Sequence, residues 1–272
     1  MFVRASVLLG LAALCIYLFV TAPPPLEEEG AVEASVPIEE AFAVLAREND
    51  VARTLWTREI VGAGKKVGLS FAEDWEDDGV DAGPLPALFL KETSRQLNRK
   101  PAPLALYLGS DAPIVEGNRF DGQQAEEFAQ LRATGDPRFF LDLEFGLQTA
   151  MFPDVAGADA CVTCHNAHVD SPRDDWARGD VMGATTWTYP EATVSLDRLV
   201  ELMDVYRECT RLAYERYLAK AATFEEPPPV GDRWPREGER VLPSADVFME
   251  EIERSVSRDT VASLIGLVRS RR

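Results

Sequence analysis

The stretch "ADACVTCHNAHVD", residues 158–170, puts two thiols and an imidazole within five positions: Cys161, Cys164 and His165. A chain that gathers its ligating groups so tightly must fold around whatever they hold. Three chemistries use such a set: a covalently attached haem, a zinc ion or a redox dithiol.

The spacing has a direct reason in the first. Two thiols add across the two vinyl groups of a haem, two intervening residues let them reach both, and the adjacent imidazole ligates the iron. A zinc site would use Cys161, Cys164 and His168, with or without His165. Structural zinc, however, draws two ligand pairs from separate segments, and the chain has no second CxxC or HxxxH. A dithiol site asks for its first thiol at a helix N-terminus, commonly after a strand. Residues 156–160 do not read as a strand. A plain disulfide is the remaining alternative.

The other cysteines, Cys15 and Cys209, make no disulfide framework. Cys15 lies in an apolar run from Ala5 to Val20, preceded by Arg4 and followed by Pro23–Pro25 and Glu27–Glu29. One cation before the run and acids after it predict an export segment, residues 1–22, with the N-terminus inside. It reads as an uncleaved anchor; a cleaved signal peptide is the alternative, against which Pro23 stands just after the small residues Thr21 and Ala22. Haem attachment takes place outside the bacterial cytoplasm, so export and motif agree. The net charge of −18 argues against nucleic-acid binding through phosphate neutralisation and suits an acidic surface that meets a basic partner.

Residues 23–36 are rich in Pro and Glu and read as a linker. A helical apolar period runs from Ile38 to about Val61, and Gly62, Gly64 and Gly68 then predict a flexible turn. "FAEDWEDDGVDAGPLP" reads as an acidic loop. Further helices are expected over 86–99 and from Asp121, as cap, to Gly135. Strands are expected at "PLALYLGSD", 138–146 and 147–154, the last two forming a hairpin at Gly146. After the motif, "GDVMGATTWTYP" predicts a strand with Val181, Gly183, Thr185, Trp187 and Tyr189 on one face. Leu196 to Lys220 predicts a long amphipathic helix. Residues 221–272 read as a Pro-rich linker and a helical tail, with Ser244 capping a helix at 245–255. Few strands alternate with helices in a βαβ rhythm, so the fold class is α+β: an antiparallel sheet flanked by long N- and C-terminal helices.

With one CxxCH, the expected stoichiometry is one haem per chain, bound through Cys161 and Cys164 with His165 as axial ligand. From Pro23 to Ala150 there is no Cys, His or Met. The distal candidates are therefore Met182, Met151 and Cys209, with Met203 on the apolar helix stripe and Lys65 or Lys66 as unusual options. His168 is too close to His165 to cross to the opposite haem face. An open sixth position would bind nitric oxide, carbon monoxide or oxygen, whereas a filled one favours electron transfer. A haem peroxidase would need a distal base or arginine, for which Arg119, Arg138 and Arg173 are the candidates.

The N-terminal anchor, the long helix, the single late CxxCH and the pattern Gly179, Asp180, Gly183, Ala184 resemble one family. These are the exported bacterial c-type haem domains with a PAS-like sensor fold, long catalogued as a domain of unknown function. The likeness covers residues 38–220. It implies a PAS-like haem-binding domain over 37–220, with the haem between sheet and helices and His165 proximal. A branch of that family takes its distal cysteine from the N-terminal helical region, where this chain has none. The resemblance implies a periplasmic protein held in the inner membrane by residues 2–22, sensing a diatomic gas or redox state through a signalling partner. An electron-transfer cytochrome is the alternative, and a structural zinc protein the minor one.

Overall fold

The computed structural model describes residues 35–236 and 238–256. The expected anchor, nearly all of the linker and the tail beyond 256 lie outside the described residues. No helix among the described residues is long and apolar enough to cross a membrane.

A short strand, β1 (Ser35–Pro37), leads into helix α1 (Ile38–Leu55), whose buried Ile38, Phe42, Leu45, Asn49 and Ala52 recur at helical spacing. The rod continues through a π-helical segment, Trp56–Gly62, into α2 (Ala63–Lys66). Strands β2 (Ser70–Ala72) and β3 (Ala82–Pro84) pair in parallel around the acidic loop. Next come α3 (Pro86–Leu97), β4 (Ala105–Gly109) and α4 (Gly122–Thr134). The hairpin of β5 (Arg138–Asp142) and β6 (Leu147–Val155) follows, then α5 (Asp159–Ala167) and β7 (Val181–Tyr189). The chain continues through β8 (Thr193–Ser195) and α6 (Leu196–Ala221), a parallel pair β9 (Val230–Gly231) and β10 (Leu242–Pro243), and α7 over residues 245–256.

The main sheet is antiparallel in the order β4-β7-β6-β5. Its inner face carries Leu106, Ala150, Trp187 and Tyr189 against Phe42 and Leu45 of α1 and Leu199, Leu202 and Tyr206 of α6. Its outer face packs Met151 and Ala184 under Phe128 and Leu131 of α4 and under Phe120. A separate core joins Trp56, Phe71 and Phe89 to Tyr214 and Tyr217 of α6 and Phe248 of α7. Burying a large apolar side chain contributes about 1.5–3 kcal/mol, so these three clusters dominate the favourable side of folding. At the motif's end of the sheet Gly183 faces Gly109, where a Cβ would stand 2.6 Å from the Gly109 carbonyl oxygen; only glycine lets β4 and β7 close there.

The α+β class with small antiparallel sheets and flanking helices is as expected. Four expectations are corrected. Gly62 and Gly64 lie inside the helical rod, because Gly64 packs against Leu69 and Phe71, and the turn falls at Gly68 with φ of 86°. Residues 221–256 are no free linker: Phe224, Leu242, Phe248 and Ile252 are buried in the Trp56 core. Asp121 stands at the N-cap of α4 but makes no side-chain cap bond. Val181 does not share the face of Thr185 and Trp187. Asp154 pairs with Gly183 and Val155 with Val181, leaving Met182 as a bulge that turns Val181 toward the outer cluster. Ser195 does cap α6, accepting from the Arg198 amide at 3.1 Å.

Candidate functional site

The motif rides on α5, which starts four residues after β6 ends at Val155. Cys161, Cys164 and His165 stand at i, i+3 and i+4 of that helix, so a single face presents all three. Both thiols are free; Cys164 is exposed and Cys161 half-buried. No residue of α5 is fully buried. The helix is held as part of a loop closed at its base, where the Ala156 amide donates to the Asp180 carbonyl (2.9 Å) and the Gly179 amide to the Ala156 carbonyl (3.1 Å).

Polar contacts brace the loop. The Asn166 amide group bonds both ways with the Trp176 backbone, at 2.9 and 2.8 Å. The Arg173 guanidinium lies 3.9 Å over the Trp176 ring. Trp176, buried, meets the His165 ring edge-on at 6.4 Å between centroids. Arg178 donates to the Gly157 carbonyl and pairs with Asp159.

His165 is half-buried, and its Nδ1 is buried without a hydrogen-bond partner. Burial lowers its pKa, and the neighbouring His168 lowers it further, against the opposing pull of Asp154 and Glu73. The Cys164 thiol is pushed up by partial burial and by Glu73, with Lys65 opposing. Glu73, just past β2, and Lys65, on α2, therefore lie within electrostatic reach of the motif. From the sheet side, Arg53 of α1 grips Asp154 of β6 with two bonds (2.9 and 3.1 Å) and donates to Thr185 of β7 at 3.1 Å.

His168 is spent elsewhere. The Asp170 amide donates to its Nδ1 at 3.1 Å, so Nε2 carries the proton and faces Glu73 Oε2 at 3.1 Å. Zinc through Cys161, Cys164 and His168 would have to break one of these bonds. Among the described residues no three His, Cys, Asp or Glu side chains converge on a metal-sized point. The dithiol alternative stands differently: β6 does run to Val155 and Cys161 is in the first turn of a helix, so the missing strand no longer counts against it.

The three distal candidates are scattered. Met151 is fully buried in the outer cluster, on the sheet face opposite Asp154. Cys209 is fully buried in the inner core of α6, its thiol pushed up to about 11 by burial. Met182 sits at the bulge, at the motif's end of β7, where its carbonyl accepts from Ser110 Oγ at 2.6 Å. Of the arginines considered for a distal role, Arg119 pairs with Glu116 and Arg138 with Glu127; only Arg173 belongs to the motif loop. Sequence reasoning missed Arg53, Glu73, Asp154, Asn166 and Trp176. Only Trp176, an isolated indole amid charges eleven residues after His165, carried a visible signal.

Comparison with family models, with curated proteins and with solved structures found no match to this chain. The donor set is the one a covalent haem would use: two unbonded thiols and an imidazole on one helical face.

Proposed function

We propose that this chain is an exported, membrane-anchored monohaem c-type protein with a PAS-like domain, which senses a diatomic gas or redox state and signals through a protein partner. The observation that carries this reading is the placement of Cys161, Cys164 and His165 on one face of α5, with both thiols free. Cys161 and Cys164 would form the thioethers and His165 would hold the iron. A bound haem supplies redox change and gas ligation at that iron.

The chain's own residues would position and insulate the group. Trp176 limits the swing of the His165 ring, and Asn166 fixes Trp176. Arg53 and Asp154 set a compact ion pair at the end of the sheet's two central strands, beside the motif. The sheet order, with the first main strand beside the last and a hairpin at the far edge, supports the PAS-like assignment. A second reading, an electron carrier, draws on the acidic side chains around the exposed Cys164 edge, Glu73 above all, which would meet a basic partner.

The test uses the full chain made together with a haem-attachment system. Haem that survives a denaturing gel, and is lost in Cys161→Ala and Cys164→Ala, is the expected result. Retention in both single variants, or no haem at all, overturns the reading. Carbon monoxide added to the reduced protein then divides the two functions: a shifted spectrum supports sensing, and an unchanged one supports electron transfer. In the second case Met182 is the first position to substitute.

A further inference from the structure

We infer that the β5–β6 hairpin turn is a lipid-contacting foot, which seats the domain on a membrane surface with the motif at the far end. The inference rests on the anchor reading given above and goes beyond it.

The turn carries two of the most exposed large apolar side chains among the described residues, Leu143 at 78% and Phe145 at 62%. Phe139 and Leu141 continue the stripe along β5, at 40% and 43%. A water-facing turn has no use for a leucine and a phenylalanine held this openly, and a contiguous exposed apolar stripe marks a contact surface.

The chain path says which contact. β7 ends at Tyr189, opposite Gln148, at the same end of the sheet as the turn. Three residues on, Ala192 accepts the Ile38 amide at 3.0 Å, and β8 pairs with β1 at Ser35–Pro37. The chain therefore enters the domain at the hairpin's end. The preceding segment, from Pro23 to Ala34, can span at most roughly 40 Å when fully extended. If residues 1–22 lie in a bilayer, the turn is within reach of it. The motif leaves the sheet at Val155 and returns at Val181, the opposite end, about 26 Å away at the usual rise per residue of a nine-residue strand.

A second copy of the chain fits the turn less well. Pairing along the β5 edge would use its outward backbone groups, but the Gln123 side chain already takes two of them. It donates to the Leu141 carbonyl and accepts from the Leu143 amide, both at 3.0 Å. Two copies would also each bring a net charge of −18. The same charge favours a zwitterionic over an anionic lipid surface.

The test uses the full chain in phosphatidylcholine vesicles, with a tryptophan placed at Leu143→Trp or, as the far-end control, at Val169→Trp. Val169 is 92% exposed in the motif loop, so both substitutions leave the packing intact; native Trp56, Trp75, Trp176 and Trp187 are buried and Trp234 is half-buried, and the unsubstituted chain supplies their background emission. Brominated phosphatidylcholine should reduce the added emission of Leu143→Trp about twofold, as for an indole seated ~5–10 Å into the headgroup boundary. That of Val169→Trp should be unchanged. If the chain floats with the vesicles but Leu143→Trp is not quenched, the anchor stands and the foot is overturned. Emission from Leu143→Trp that shifts to the blue with protein concentration and ignores bromine assigns the turn to a second copy instead, and also overturns it. A chain that does not float at all overturns both.

Discussion

The motif loop and the aromatic core around Trp56 are built on opposite plans. In the core, Trp56 stacks on Phe89 at 4.3 Å and 6°, Tyr214 stacks on Phe248 at 4.1 Å and 6°, and Tyr217 meets Trp56 edge-on at 5.1 Å. Four segments distant in sequence, from the π-helical segment to α7, are tied there mainly by apolar contact, with the buried Tyr214 hydroxyl donating to the Pro243 carbonyl at 2.8 Å. In the loop, α5 buries no residue completely and is braced by polar contacts: hydrogen bonds from His168 to Glu73 and between Asn166 and Trp176, and an ion pair of Arg178 with Asp159. The first region stabilises the fold and leaves no chemistry open. The second contributes little to stability and keeps its reactive groups free. A helix whose packing is left incomplete is suited to acquire the missing contact area from a covalently bound group.

Substitutions can break that division of labour. The largest effect expected is the complete loss of covalent haem in Cys161→Ser/Cys164→Ser, read on a denaturing gel. The unfolding free energy of the haem-free chain should move by no more than about 0.5 kcal/mol, as for a surface change. A large loss of stability in that variant would mean that the loop supports the fold after all. Trp56→Ala should cost about 3–5 kcal/mol in denaturant unfolding, the range for emptying a fully buried aromatic site. His168→Ala should cost at most about 1 kcal/mol, since its partner Glu73 is half exposed. Its amide-exchange protection should fall across α5 and hold in α1 and α6; a global fall would contradict the separation.

The smallest effect is on pH dependence. Burial of Glu76 opposes its ionisation, but the Arg95 and Arg216 guanidinia outweigh it and hold its carboxyl below the ordinary value. The stability it contributes is present above that ordinary value and is lost as pH falls through its native pKa. Glu76→Gln should therefore flatten the acid limb of the stability profile between about pH 5 and pH 3, without moving the neutral plateau. An unaltered acid limb would show that the Arg95–Glu76–Arg216 link between α3 and α6 is inert.

Much of this was legible beforehand, and the failures share a cause. The Cys161–His165 spacing is a local signal and could be read directly. So could the alternation of β7 from Gly183 onward, the hairpin at Gly146 and the stripe of α6. What could not be read depends on contacts between distant segments. Gly62 and Gly64 looked like a turn until Leu69 and Phe71 closed on the rod. The prolines of residues 227–235 looked like a linker, yet Trp234 and Leu242 carry the chain back to Phe248 and Tyr214. The surroundings of the motif were the least visible part. Glu73 lies ninety-two positions before His165, and Arg53 meets Asp154 across a hundred and one residues.

The π-helical segment Trp56–Gly62 gives the long rod a phase slip. The Ala63 amide reaches back five residues to the Arg58 carbonyl instead of four. One residue of slip turns everything downstream by about 100° relative to an unbroken α-helix. Upstream, Phe42, Leu45 and Arg53 keep step with the sheet; downstream, Gly64 keeps step with Leu69 and Phe71. The two halves of the rod are thus independently indexed, one to the main sheet and one to the Trp56 core. Deleting a single residue from Trp56–Gly62 would couple them again, and the fold would have to choose which of the two alignments to keep.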